Sequence, residues 1–289
     1  MTPSDKAGEV LRLSAEYLTA RNVAEAKPSS EALLCRLLNC KRLELYVRFE
    51  TRLSPPQLEA MRRGVKRLAA GEPVQYILGE VDFMGHAFKV DRRALIPRPE
   101  TELLVEAAVK TDAIWAAEAP LVADVGTGSG CIAVSLALAR PAARFVAVDL
   151  SADALALAEE NARRLGVDDR IDFARDLADA ADPDSLDAIV ANLPYVSTGD
   201  WERLPPHIRN HEPRLALDGG RDGLAAISEL IPDAWVTLKP GGRLLLEIGA
   251  DQGDRVRTLL QEAGFGGIVV SKDLAGLDRI VSGARMEEG

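Results

Sequence analysis

Leu121-Val122-Ala123-Asp124-Val125-Gly126-Thr127-Gly128-Ser129-Gly130 decides the fold. An apolar run that breaks into alternating glycines reads as a buried strand entering a tight turn, and the apolar segment Cys131 to Ala139 continues it as a helix. A second apolar run, Phe145-Val146-Ala147-Val148, closes on Asp149. Glycine lets the backbone approach a ligand closely. A carboxylate just after the second strand can accept hydrogen bonds from both hydroxyls of a ribose. The segment therefore predicts a nucleoside-binding α/β unit. By itself Gly126-x-Gly128-x-Gly130 fits a nicotinamide cofactor as well as an S-adenosylmethionine cofactor.

Working outward, helix Ala152 to Leu165 leads to a short strand, Arg170 to Ala174, and then to Asp176 and Leu177. A further apolar run, Asp187-Ala188-Ile189-Val190-Ala191, ends in Asn192-Leu193-Pro194-Tyr195. Ligands of open α/β sheets lie beyond the carboxyl ends of the strands, so an amide, an X-Pro bond and an aromatic ring at that place form a polar lip beside the cofactor. Such a lip suits a planar nitrogen. Residues 196 to 222 read as a long loop rich in Pro, Gly, Arg and His, and loops of this length in a compact domain are usually functional. Helix Leu224 to Leu238, strand Arg243 to Ile248, helix Gln252 to Ala263 and strands near 267 to 271 and 278 to 282 bring the count to seven strands.

On the amino-terminal side, residues 4 to 20 carry helical apolar spacing with Ser4 as the candidate cap. Ser29 or Ser30 opens a second helix through Leu38, and Ser54-Pro55-Pro56 opens a third through Ala70. Residues 75 to 95 lose the helical period, and Met84-Gly85-His86 separates two hairpin strands. A helix then runs from Pro99 to about Lys110. The expected organisation is a helical domain over 1–72, a hairpin connector over 73–98 and an α/β domain over 99–289, in which a seven-stranded Rossmann-like sheet carries the chemistry.

These motifs resemble those of the S-adenosylmethionine-dependent methyltransferases that modify planar nitrogens. Further stretches narrow the resemblance to the bacterial release-factor glutamine methyltransferases: Pro73-Val74-Gln75-Tyr76-Ile77-Leu78-Gly79, Ile96-Pro97-Arg98-Pro99-Glu100-Thr101-Glu102, Glu212-Pro213-Arg214-Leu215-Ala216-Leu217 and Gly219-Gly220-Arg221-Asp222-Gly223-Leu224. The resemblance covers the chain from about residue 73 onward. It implies S-adenosylmethionine as methyl donor and release factors as protein substrate. It assigns Asn192, Leu193, Pro194 and Tyr195 to catalysis, and Gly126, Thr127, Gly128, Ser129, Gly130, Asp149, Asp176, Leu177 and Asn192 to the cofactor. One position departs from the family: Leu193 stands where proline is usual, a feature shared with ribosomal-RNA adenine dimethylases. An RNA adenine N6-methyltransferase and a non-catalytic cofactor-binding regulator are therefore the alternatives.

Charge weighs against nucleic acid. The chain of 289 residues carries a net charge of -10, and beyond residue 85 there are 22 basic against 34 acidic side chains. A phosphate backbone is bound largely through Lys and Arg, and no basic stripe surrounds Asn192. His207 and His211 have metal-ligand spacing but prolines on either side and no carboxylate partner between them, so a loop is the expected reading. Asp149 also has the place of a helix N-cap, but Ser151 competes for that role and the position after the second strand favours ribose binding. Three cysteines, Cys35, Cys40 and Cys131, make neither an even disulfide set nor a zinc pattern. No stretch approaches the ~18 apolar residues of a membrane span. A cytoplasmic monomer is expected.

Overall fold

A computed structural model of the protein describes residues 5–287, so Ser4 lies outside the described residues. Two compact units are present, one comprising residues up to Glu80 together with Pro205–His211, the other comprising Val81–Leu204 and the remainder.

The first unit is helical: Ala7–Thr19, Ala26–Leu38, Arg42–Val47, Pro55–Ala69, Val74–Leu78 and the single turn Pro206–Arg209. Its core is built from Leu11, Leu18, Leu34, Leu45, Met61 and Leu68. Ser54 and Gln57 form a capping box at the start of the fourth helix, where two prolines supply preset φ angles without needing a donor. Gly64 lets that helix meet the second one closely, since a Cβ there would lie 2.9 Å from Leu33 Cδ1. The helices at 42–47 and 74–78 were not expected. Both are too short to display a full helical period, and Val74, Ile77 and Leu78 join the helical core, which carries this unit on to Glu80.

The second unit holds two sheets. Strands β1 (Glu80–Phe83) and β2 (His86–Lys89) form the expected hairpin, turned by Met84 and Gly85 at φ 52° and 75°. The main sheet has seven strands: β3 (Leu121–Val125), β4 (Arg144–Val148), β5 (Ile171–Ala174), β6 (Leu186–Ala191), β7 (Leu238–Glu247), β8 (Phe265–Lys272) and β9 (Asp278–Arg285). They lie in the order β5-β4-β3-β6-β7-β9-β8. From β5 through β7 the strands are parallel, and β9 and β8 complete the sheet in antiparallel fashion.

Parallel strands buried on both faces alternate between two cores. Val122, Ala188 and Val190 pack with the helices Pro99–Lys110 and Cys131–Ala139. Ala123, Ile189 and Ala191 face the helices Ala225–Thr237 and Gly253–Glu262. The chain builds outward from β3 through β4 to β5, then returns to place β6 on the other side of β3. At that reversal the connections diverge to opposite faces and leave a crevice beyond the carboxyl ends of β3 and β6. Among the described residues no helix is long and apolar enough to cross a membrane.

Candidate active site

A cleft of about 600 Å³ occupies that crevice, and all of its walls belong to the second unit. Its floor is the glycine turn. Gly126 N and Thr127 N both donate to the Val148 carbonyl, at 2.8 and 2.9 Å, so the turn is stitched to the end of β4. Gly126, Gly128 and Gly130 take φ of 76°, 55° and 79°, a region that residues with a Cβ enter only with strain. Gly130 is also hemmed in, because a Cβ there would lie 3.0 Å from Ala158 Cβ.

Beneath the turn lies Asp124, fully buried. Its Oδ2 accepts from the Thr127 hydroxyl at 2.6 Å and from Ala133 N at 3.0 Å, while Oδ1 has no hydrogen-bond partner. Burial pushes the Asp124 carboxyl up to about 7, against the lowering effect of those two donors. Thr127 and Ser129 are themselves buried and line the cleft.

Asp149 follows β4. Its Oδ2 accepts from Gly128 N and its Oδ1 from Ser151 N, both at 2.9 Å, and burial raises its carboxyl above the usual range. The helix cap is Ser151, whose hydroxyl accepts from Ala154 N, so Asp149 is not spent on capping. Each carboxylate oxygen retains an acceptor site that can face the cleft. Asp176 does cap a helix, accepting from Ala178 N at 2.8 Å, and it remains exposed at the cleft wall. Leu177 is buried in the core and also contributes to that wall.

The lip stands where β6 ends. Asn192, Leu193 and Pro194 line the cleft. Asn192 Nδ2 donates to the Thr101 hydroxyl at 3.0 Å, and among the described residues nothing donates to Asn192 Oδ1 or to the Leu193 carbonyl. The Leu193 side chain lies against the glycine turn; a Cβ on Gly126 would be 3.0 Å from its Cδ2. Tyr195 is not part of the cleft lining. Its hydroxyl donates to Glu247 Oε1 at 3.3 Å, and burial together with the Glu247 charge pushes the phenol up to about 12.

Several residues that build the site carried no chemical signal in the sequence. Glu212 is buried and accepts from Ile96 N at 3.2 Å and from the Arg98 guanidinium, which fastens two of the quoted motifs to each other along the cleft. Gly219 and Gly223 press on the lip from behind: a Cβ at either would lie 2.4 Å from the Pro194 carbonyl oxygen or 2.2 Å from that of Tyr195. Gln252 Nε2 donates to the Tyr195 and Gly223 carbonyls, at 3.0 and 3.2 Å, and closes the same joint. Asn161 bridges the hairpin and the turn by donating to the Lys89 and Ser129 carbonyls. Glu100, by contrast, is exposed in the first turn of its helix. His207 lies in the turn Pro206–Arg209 and His211 just after it, and no group of His, Cys, Asp and Glu among the described residues could hold a metal ion.

The cleft suits a nucleoside carrying a charged tail. It has a carboxylate at the end of β4, an apolar wall from Leu177 and Leu230, glycine backbone on its floor and a volume within the range of small-molecule sites. Comparison with known proteins agrees. The PrmC N-terminal domain model matches residues 9–79 and the methyltransferase small domain model matches residues 99–204. The release factor glutamine methyltransferase of Geobacter sulfurreducens is 42% identical over 275 residues, covering 95% of each chain. That of Moorella thermoacetica is 42% identical over 294 residues and covers both chains fully. A solved release factor-specific protein-(glutamine-N5) methyltransferase from Alicyclobacillus acidocaldarius is 33% identical, covers 69% of this chain and 100% of its own, and superposes with a TM-score of 0.36. With cleft, lip and full-length similarity in agreement, the chain belongs to the release factor glutamine methyltransferase family.

Proposed function

We propose that this protein transfers a methyl group from S-adenosylmethionine to the side-chain nitrogen (N5) of the glutamine in the Gly-Gly-Gln motif of peptide chain release factors. The observation that carries this reading is a pair of uncommitted acceptors, Asn192 Oδ1 and the Leu193 carbonyl, at the edge of a nucleoside-sized cleft. A primary carboxamide has two N–H bonds to offer such a pair.

The bound cofactor supplies an electrophilic methyl group on a sulfonium. Everything else falls to the protein. A carboxamide nitrogen is a poor nucleophile because its lone pair is delocalised into the carbonyl, so alignment is the main lever, and holding reactants in line can supply roughly 7–11 kcal/mol of a barrier. Asn192 Oδ1 and the Leu193 carbonyl take the two N–H bonds and orient the nitrogen. As that nitrogen becomes positive both hydrogen bonds strengthen, which favours the transition state over the ground state, and the methylated amide, acidic in that state, then loses one N–H proton to water to leave the neutral N-methyl amide. Asp149 holds the ribose, and the Leu177 side of the cleft receives the base. The acceptor at 193 is a main-chain carbonyl, so leucine serves there as well as proline, and the Leu193 side chain gains contact with the turn.

The helical unit, with its own core and no part of the cleft, is suited to grip the release factor away from the reacting glutamine. Intact-mass measurement of unmodified release factor incubated with enzyme and cofactor tests the reading. The expected result is a gain of one methyl, located on the Gly-Gly-Gln peptide. Methylation of ribosomal RNA with no change in the release factor would refute it.

A further inference from the structure

Three cationic side chains line the cleft, Arg93, Arg98 and Arg175, against five carboxylates, those of Asp149, Asp176, Asp218, Glu229 and Asp233. The three differ in what their guanidinium groups have left to give. Every nitrogen of the Arg93 fork is taken by Asp91 and Glu160, at 2.8 to 2.9 Å. Arg175 is exposed and gives Nε and Nη2 to the Leu150 carbonyl, beside the carboxylate assigned to the ribose. Arg98 is half-buried and gives only Nη2, to Glu212 Oε1. Its Nε and Nη1 make no hydrogen bond among the described residues.

Glu212 sets the direction of those open donors. It is buried, and its other oxygen accepts from Ile96 N at 3.2 Å, so the carboxylate is itself held by the main chain. A guanidinium is planar and rigid, and with one corner pinned its remaining N–H bonds point in a fixed direction. Arg98 also belongs to a strip of wall that begins at Ala94, whose Cβ lies 3.8 Å from where a Cβ on Gly128 would be. The strip ends at Thr101, whose hydroxyl receives Asn192 Nδ2 at 3.0 Å. Arg98 therefore stands between the glycine turn and the lip.

A sulfonium has three carbon branches. The methyl must face the lip and the ribose branch runs to Asp149, so the amino-acid tail is left with the stretch between turn and lip that this strip borders. That tail ends in the cofactor's one anionic group, and in a cleft lined by carboxylates an anion needs a cation with open donors. We propose that Arg98, its guanidinium set by Glu212, binds the α-carboxylate of S-adenosylmethionine through its uncommitted N–H groups. The proposal rests on the cofactor and not on the release factor. Its consequence is discrimination: Asp149 reads the nucleoside, and Arg98 rejects nucleosides that lack the carboxylate.

The test compares two ligands that differ only in this group, S-adenosylmethionine and decarboxylated S-adenosylmethionine, by calorimetry on the full-length protein at fixed ionic strength, with Tm as the check of folding. Wild type is expected to bind S-adenosylmethionine about 10- to 100-fold more tightly, the worth of a hydrogen bond between charged groups. In Arg98→Gln the ratio of the two Kd values is expected to fall close to one. A general loosening of the site weakens both ligands and leaves that ratio where it was. Arg175→Gln removes another cation from the same cleft and is expected to keep the wild-type ratio, which separates direct contact from long-range charge. Arg98→Gln leaves Glu212 buried without its partner, so Arg98→Gln combined with Glu212→Gln is measured beside it and is expected to give the same ratio. Arg98→Lys keeps a charge for Glu212 but has no fork, and its ratio is expected to lie between those of wild type and Arg98→Gln.

A wild type that binds the two ligands equally, an Arg98→Gln or double variant that keeps the wild-type ratio, or an Arg175→Gln variant that loses it would each overturn the proposal. Should neither Gln form fold, Arg98→Lys decides, and an unchanged ratio there overturns it. A wild type that binds neither ligand removes the cofactor reading and this proposal with it. A wild type that binds S-adenosylmethionine but adds no methyl to the release factor removes the substrate assignment alone, and the ratio still decides the role of Arg98.

Discussion

Asp124→Asn should remove a pH dependence of stability that the wild-type protein carries into the neutral range. Asp124 is fully buried beneath the glycine turn with one oxygen unpaired, and burial pushes its carboxyl up to about 7 from the ordinary 3.8. The native state therefore holds this proton more tightly than the unfolded chain does. The contribution to stability is complete below pH 3.8, declines as pH rises and the unfolded chain alone ionises, and levels off above about 7. At 1.36 kcal/mol per pH unit the whole decline is about 4 kcal/mol, of which roughly 2 kcal/mol falls between about pH 5.5 and 8.5. Asparagine keeps the shape, can still accept from Thr127 and Ala133, and does not titrate. Asp149 and Glu247 are also raised by burial, so the wild-type curve alone mixes several groups, whereas the difference between wild type and variant isolates Asp124. The assay is urea unfolding of the cofactor-free protein at several pH values. The stability of the wild type minus that of Asp124→Asn is expected to shrink with rising pH; a difference that is flat or grows across this range would refute the assigned proton.

Other substitutions probe the cleft directly. Asn192→Ala is expected to cost about 10²–10³ in methyl transfer, as for loss of a transition-state hydrogen-bonding group, with cofactor affinity in calorimetry retained; near-full turnover would contradict its acceptor role. Asp149→Ala should raise the cofactor Kd roughly 10- to 100-fold, the worth of a hydrogen bond to a charged group, and an unchanged Kd would remove Asp149 from the binding site. Gly223→Ala puts a methyl group 2.2 Å from the Tyr195 carbonyl oxygen at a φ of 75°, so it should lower stability by about 1–3 kcal/mol and slow turnover by shifting the lip. An unchanged Tm would show that the joint behind the lip yields freely.

The strands and the glycine turn were legible in the sequence because they depend on local pattern. Apolar runs at 121–125, 145–148 and 188–191 belong to inner strands covered on both faces, whereas the short edge strand 171–174 leaves Asp172 exposed; each leads into turn residues or a helix start. The helices at 42–47 and 74–78 were hidden by their length. The long loop after Tyr195 showed no period, yet it contains short helical turns and gives residues 205–211 to the helical unit. Loop composition carries no record of which core a loop will join.

The sequence by itself determined that an α/β sheet would present a glycine turn, a carboxylate and an Asn-Leu-Pro-Tyr lip on one edge, since strand direction and the crevice rule follow from chain order. Only the tertiary structure decided the partners of those groups: Asn192 with Thr101, Tyr195 with Glu247, Arg98 with Glu212, and Gly219 and Gly223 against the lip backbone. These contacts join residues far apart in the chain. Whether a hydroxyl donates or accepts, and whether a carboxylate keeps its charge, depends on what packs around it after folding, so it has no local signature to read.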